Sequence, residues 1–168
     1  MSQSSPMRFN GAMGKSTLLG PKSEDMPTAD VSLQNTASSP LSSDVVRQTL
    51  SVAIITMNEE ANLARTLASV QFADEVIVLD SGSTDRTLEI ARSFDAKVYF
   101  EPWKGFAPQK NSAIEKCSGT WILSLDADEE LTFELQQEIR RLLTHDPAAD
   151  AYLIKRRNLF LNRCRRFK

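Results

Sequence analysis

The stretch Trp121-Ile122-Leu123-Ser124-Leu125-Asp126-Ala127-Asp128 decides the fold class of this 168-residue chain. A short, strongly apolar run is followed at once by two carboxylates. Such a run is typical of a strand that is buried on both faces of a parallel sheet. Because ligands bind beyond the carboxyl ends of parallel strands, Asp126 and Asp128 are expected at a functional edge.

Similar apolar runs recur along the chain, and helical patterns separate them. This alternation with short loops predicts an α/β fold, a Rossmann-like parallel sheet with helices on both faces. Asn58 is expected to cap the first helix and Thr132 the last, and Pro108 is expected in the loop before the third. The predicted strands are 51–56, 75–80, 97–100, 120–125 and 151–154, and the predicted helices are 59–70, 84–94, 109–117 and one after Thr132.

Residues 1–48 differ in composition from residues 49–168. They hold four of the seven prolines and no sustained apolar periodicity, which predicts a disordered N-terminal extension. Within them, residues 11–17 resemble the end of a phosphate-binding loop. That pattern requires a glycine where Phe9 stands, a strand before it and a helix after it. We therefore interpret the match as accidental.

The charge balance excludes nonspecific nucleic-acid binding through overall positive charge, because the chain has 20 Lys and Arg residues against 22 Asp and Glu residues. Two cysteines without a CxxC pattern favour a reducing, cytoplasmic setting.

The last residues of the chain form a basic tail, for which two interpretations stay open. The tail contacts an anionic membrane surface or glycolipid at the inner face of the plasma membrane, or its residues are meant to pack against another part of the protein. That tail consists of Lys155, Arg156, Arg157, Arg163, Arg165, Arg166 and Lys168.

Three predicted strand ends carry polar groups, in residues 56–59, 80–83 and 126–128. Since they should converge on one rim, the Asp126 and Asp128 pair is predicted to face one Mg²⁺ or Mn²⁺ ion. The alternative is an exposed acidic turn before the last helix. Asp80 has an equally ordinary alternative, which is to cap its own Gly/Ser turn.

Residues 51–60, 76–85 and 110–113 followed by 119–128 resemble, in order and spacing, the motifs of family-2 glycosyltransferases. Residues 103–111 and 155–161 resemble the bacterial lipopolysaccharide-core glucosyltransferases of that family. The resemblance implies the N-terminal part of a GT-A fold and an inverting, metal-dependent reaction. It also implies a UDP-sugar donor, expected to be UDP-glucose, and a glycan or glycolipid acceptor such as lipopolysaccharide core.

The resemblance also implies roles for individual residues. The nucleotide-sugar site would include Ala127, and Lys110 would face the nucleotide or diphosphate, unless it is a solvated helix residue. Asp128 would ligate the metal, with Asp126 reaching the ribose or a metal-bound water. The remaining implied nucleotide-site residues are Thr56, Asn58 and Glu59, which line the pocket, and Asp80, which contacts the base or ribose.

The catalytic residue is unknown, because an inverting transferase requires a carboxylate base that the family carries well beyond the metal motif. The acids of residues 131–168 suggest surface positions, so the chain is expected to be a truncated donor half without an acceptor segment. One alternative is a haloacid-dehalogenase-type phosphotransferase with Asp126 as nucleophile, although Glu130 stands where that pattern wants Thr or Val. The other is a non-catalytic nucleotide-binding fragment.

Overall fold

A computed structural model describes residues 16–20, 48–144 and 149–156, together with the backbone of 158–160 and 163–165. The strands in these ranges are β1 (Thr17–Leu19), β2 (Leu50–Thr56), β3 (Glu75–Asp80), β4 (Lys97–Phe100), β5 (Trp121–Asp126), β6 (Ala151–Leu153), β7 (Asn158–Phe160) and β8 (Arg163–Arg165). The helices are α1 (Leu63–Ser69), α2 (Thr87–Ser93), α3 (Phe106–Glu115) and α4 (Phe133–Thr144).

Six strands form one sheet in the order β4-β3-β2-β5-β1-β6. The four strands from β4 to β5 are parallel, whereas β1 pairs antiparallel with both β5 and β6. Strands β7 and β8 form a separate antiparallel pair. The predicted α/β fold with a mainly parallel sheet is therefore confirmed.

Alternating side chains of the parallel strands enter two cores, one on each face of the sheet. Val52 and Ile54 share one core with residues of α1, α2 and α4. Ala53 and Ile55 share the other with Ala113 and Ile114 of α3. Helices cover both faces, as the run of apolar strands required.

Strand β1 corrects the prediction that residues 1–48 are disordered, which is wrong for residues 16–20. Leu18 is buried in the larger core, and the backbone of β1 is paired on both sides. Tertiary partners thus supply the burial that the local sequence lacks. Of the apparent phosphate loop, Thr17 begins this strand and Ser16 directly precedes it, so a strand follows where the motif requires a helix. The rest of the predicted disordered extension and of the phosphate-loop match falls on residues 1–15 and 21–47. These residues lie outside the described part of the chain.

The helices begin at different residues from those predicted. Asn58 does not cap α1, which begins at Leu63 after Asn62, because Asn58 adopts a left-handed backbone with φ of 55°. Helix α3 begins three residues early, after Gly105 at φ 99°, since Pro108 is tolerated in a first helical turn. Thr132 does cap α4, where its Oγ1 accepts a 3.3 Å bond from Leu135 N.

In the described part of the chain, we find no helix with the length and apolar character that crossing a bilayer requires.

Candidate functional site

The parallel strands bring three polar segments to one rim of the sheet, which we call the carboxyl edge (residues 56–59, 80–83 and 126–129). In the sheet register Thr56 lies opposite Asp80, and Ile55 lies opposite Asp126. The three segments therefore lie side by side, and their predicted convergence is confirmed. The side chains of these strands are mostly buried, so the backbone at the carboxyl edge is held in a fixed position.

Asp80 caps the turn that follows β3. Its Oδ2 accepts hydrogen bonds from Gly82 N at 2.8 Å and from Ser83 N at 2.9 Å, and its Oδ1 accepts one from the Ser83 hydroxyl. With 2% of its surface exposed, this carboxylate shapes the turn. These hydrogen bonds show that Asp80 caps its own turn, which was the alternative interpretation. Its contact with a base or ribose remains a prediction.

Asn58 and Glu59 tie the loop after β2 to the loop after β3. Asn58 Oδ1 accepts from Thr84 N at 2.8 Å, and Asn58 N donates to Ser83 Oγ at 2.8 Å. Glu59 N donates to Thr87 Oγ1 at 2.8 Å. The left-handed backbone of Asn58 turns its amide toward this neighbouring loop, so the two segments form one continuous wall.

Thr56 and Gln109 leave buried polar atoms without partners in the described structure. The orphaned atoms are Thr56 Oγ1 and Gln109 Oε1. Gln109 is otherwise anchored through its Nε2, which donates to Ser81 Oγ at 3.1 Å. Because a buried unpaired polar atom is costly, such atoms are most often satisfied by water or a ligand. Both lie at or next to the carboxyl edge, which agrees with a polar ligand site there.

Lys110 extends from α3 to the end of β5. Its Nζ lies 2.6 Å from Asp126 Oδ1, and its side chain is only 6% exposed. The alternative of a solvated helix residue is therefore wrong. A buried ammonium beside a carboxylate fixes the position of both groups, because separating a buried charge from an opposite charge is costly. Asp126 is thus held from the α3 side of the sheet.

Arg156, a member of the basic tail, holds Asp126 from the other side. Its guanidinium donates to Asp126 Oδ2 at 2.7 Å and also pairs with Glu129. Burial would lower the pKa of Arg156, but the hydrogen bond and charge of Glu129, with the charge of Asp126, raise it above its usual range. Arg156 is therefore committed to the carboxyl edge. The side chains of residue 157 and of the later basic residues lie outside the described part of the chain.

Asp128 is the carboxylate that best fits a divalent cation. It is exposed, and among the described residues we find no group of three or more His, Cys, Asp or Glu side chains suited to holding a metal. A hard cation that takes one or two protein carboxylates and completes its shell with phosphate oxygens would fit this donor set. Asp126 is already compensated by two cations, so it fits a supporting position better than that of the main ligand.

Ala127 lies between these acids with its side chain buried. Its carbonyl oxygen accepts a 2.7 Å bond from Thr66 Oγ1 of α1, which fixes the backbone between the two aspartates. The possible bases Glu134, Glu138 and Asp150 are exposed, and Asp146 lies outside the described residues. No catalytic base is assigned from the described residues.

Sequence reasoning missed Glu129 and Ser16 as parts of this site. In the sequence Glu129 is only one of the acids in the turn before the last helix, although its spacing of three from Asp126 is that of a closed turn. Its Oε2 accepts from Asp126 N at 3.0 Å and from Ser16 Oγ at 2.5 Å. No local signal connects Ser16 with Glu129, because 113 positions separate them.

Comparison with known proteins gives one consistent result. Residues 51–166 match the model of "Glycosyl transferase family 2". A protein of Rickettsia bellii named an uncharacterized glycosyltransferase is 51% identical over 58% of this chain and 33% of its own length. The lipopolysaccharide core biosynthesis glycosyltransferase LpsC of Rhizobium meliloti is 38% identical over 64% of this chain and 42% of its own length.

Among solved structures, TarS of S. aureus matches with 28% identity and a TM-score of 0.49, over 56% of this chain and 19% of TarS. The chain spans about a third of the length of the Rickettsia relative.

Proposed function

The chain belongs to glycosyl transferase family 2, and from this we propose that its carboxyl edge binds a UDP-linked sugar for inverting transfer. The observation that carries the proposal is the convergence of Asp126, Asp128 and the buried Lys110 at the end of β5. Asp126 is neutralised by Lys110, whereas the exposed Asp128 is available to a metal ion. Such an arrangement suits the binding of a diphosphate together with its metal ion.

Each group has a separate task in this proposal. Asp128 would hold Mg²⁺ or Mn²⁺ at the diphosphate, and Lys110 and Arg156 keep Asp126 oriented. The bound cation would neutralise charge that develops on the diphosphate as the glycosidic bond breaks. The turn after β3 and the wall at Asn58 and Glu59 enclose the nucleoside.

We further propose that the donor is UDP-glucose and that the acceptor is a glycolipid of the lipopolysaccharide-core class. The name of the LpsC relative supports the acceptor class. A position at the inner face of the plasma membrane agrees with that acceptor. Family membership argues against the phosphotransferase alternative, as does the location of Asp126 on a strand that follows three other parallel strands.

The test is calorimetric titration of UDP into the protein with Mn²⁺, with Asp128→Asn as the variant. We expect binding to the wild type and a loss of at least about tenfold in the variant, because a neutral amide is a poor ligand for a hard cation. Asp95→Asn is the matched control, since Asp95 is exposed and its φ of 57° suits asparagine. Equal binding by both variants would refute the metal role of Asp128.

Transfer of glucose from radiolabelled UDP-glucose to lipopolysaccharide-core acceptor then tests the reaction. Binding without transfer, even with acceptor present, would favour the non-catalytic nucleotide-binding alternative for this chain.

A further inference from the structure

Glu129 is the centre of a hydrogen-bond network at the carboxyl edge. Its Oε2 accepts from Asp126 N and from Ser16 Oγ, and its Oε1 accepts from Arg156. The Glu129 side chain is 15% exposed. One carboxylate therefore orients the backbone of the first aspartate and a guanidinium that contacts the same aspartate.

Ser16 reaches this carboxylate from a segment outside the matched family region, which begins at residue 51. It is 3% exposed and directly precedes β1, which lies between β5 and β6. Its carbonyl oxygen accepts from Ile154 N at 3.3 Å. Ser16 is thus fixed by the sheet on the side of β6, two residues from Arg156.

The geometry points to Ser16 as a positioning residue of the carboxyl edge, and this inference rests on the proposed function for its effect on the donor. A hydroxyl that donates to a carboxylate forms a charge-assisted hydrogen bond, which is stronger and more directional than a neutral one. Without it, Glu129 keeps its bonds to Asp126 N and Arg156 but loses one of the three donors that hold its carboxylate. Arg156 and the turn that presents Asp128 are then held less tightly.

Ser51 offers a matched control at the opposite end of the sheet. Its hydroxyl donates to Glu75 Oε2 at 2.5 Å, and Ser51 is also buried. Ser51→Ala therefore removes the same kind of bond from the same sheet, together with the bond that Ser51 Oγ accepts from Gly119 N at 2.8 Å, at the end of β2 opposite the carboxyl edge. Ser16→Thr retains the hydroxyl and serves as the conservative variant.

The first measurement does not depend on the donor. The side-chain Nε–Hε signal of Arg156 is followed by ¹⁵N NMR, with Arg156→Lys to assign it. We expect a slowly exchanging signal in the wild type, since Glu129 accepts that proton. Ser16→Ala should accelerate its exchange severalfold, whereas Ser16→Thr and Ser51→Ala should leave it unchanged. An unchanged signal in Ser16→Ala would overturn the inference.

The second measurement is UDP binding with Mn²⁺ by calorimetry. We expect Ser16→Ala to weaken binding about tenfold, close to the lower end of the range for one hydrogen bond to a charged group, and Ser16→Thr to retain wild-type binding. Ser51→Ala should bind as the wild type does, even if it unfolds at a lower temperature. If the wild type itself fails to bind UDP, the proposed function fails while the Arg156 signal still decides the role of Ser16. Equal binding by wild type and Ser16→Ala would overturn the positioning role.

Discussion

At the scale of single residues, Lys110 shows how much of a side chain's surroundings can be predicted from sequence and how much only the structure shows. The sequence places a lysine on a helix and leaves two positions open for it, one facing the nucleotide or diphosphate and one in solvent. The structure buries it against Asp126 at 2.6 Å. A buried ion pair contributes little net stability as a pair, yet removing one member is expensive. Lys110 is therefore a residue whose loss affects the carboxyl edge and the fold together.

Lys110→Met is expected to lower the free energy of unfolding by about 2 kcal/mol, because Asp126 loses one of its two cations. Urea unfolding measures this change. Arg86→Met is the matched control, because Arg86 and Glu89 are 71% and 67% exposed in their pair and such exposed pairs contribute little to stability. Equal losses in the two variants would contradict the special position of Lys110.

Glu75 is a second residue whose charge affects stability, at the amino end of β3. Burial would raise its pKa, but hydrogen bonds from Lys97, Ser118 and Ser51 outweigh this effect and lower the pKa to about 2 from its usual 4.5. A carboxyl group with a lowered pKa stabilises the fold above its unfolded pKa. That contribution is lost as the pH falls from 4.5 toward 2.

We therefore expect Glu75→Gln to be less stable than the wild type at pH 7 by about 2 kcal/mol. The difference should shrink as the pH falls through that window, since the wild-type carboxylate becomes protonated. Urea unfolding at a series of pH values gives this difference directly. Glu89→Gln serves as the control, because Glu89 is 67% exposed in its pair with Arg86. A pH-independent difference would show that the charge of Glu75 is not responsible.

At the scale of elements, the central strands were predictable because their own residues are apolar enough to indicate burial. Strands β2, β3 and β5 are continuous apolar runs, and both faces of each are covered. Strand β1 has only Thr17, Leu18 and Leu19, in a proline-rich context that predicts disorder. Its burial comes from β5 and β6, so no window of local sequence contains the information.

The same reasoning explains the parts of the site that were predictable. Asp126 and Asp128 follow an apolar strand directly, so the sheet topology alone assigns them to the carboxyl edge. Glu129 and Arg156 contribute through side-chain contacts across a turn and from a later segment. Those contacts depend on how β6 docks on β1, which periodicity does not encode.

Leu18→Ala tests whether β1 is an integral strand. Leu18 is 2% exposed in the larger core, so the truncation should cost about 3 kcal/mol of unfolding free energy. Leu153→Ala on the neighbouring β6 is the matched control, because Leu153 is 72% exposed and should change stability by less than about 0.5 kcal/mol. Urea unfolding of the two variants compares them. A loss in Leu18→Ala no larger than that of the control would mean that β1 does not pack in solution.

At the scale of the whole molecule, the two cores share the same strands. Val78 faces one core and Leu79 the other, so neither core can be lost while the sheet persists. Cooperative unfolding in a single step is the expected behaviour of such an arrangement. Trp121 at the start of β5 is 1% exposed, whereas Trp103 is 47% exposed, so their fluorescence reports on a buried and a solvent-exposed environment.

We expect tryptophan fluorescence and far-ultraviolet circular dichroism to give coincident unfolding midpoints. UDP with Mn²⁺ at a hundred times the dissociation constant should move both midpoints together, because a ligand of the folded state alone adds about 2.7 kcal/mol. UDP with a chelator is the control and should have a smaller effect. Separate midpoints would indicate that the edge formed by β1 and β6 opens independently of the rest.

The position of β1 between β5 and β6 also sets the order in which the molecule can be completed during synthesis. Of the described strands, β1 leaves the ribosome first, and its second neighbour follows only about 130 residues later, on the order of 10 s at typical elongation rates. Leu18 has no core to enter until β2 and β5 have been made, and Ser16 has no carboxylate to bind until Glu129 has been made. Even then, one edge of β1 stays unpaired until β6 emerges, so until that moment the nascent chain presents an open strand edge of the kind that promotes aggregation.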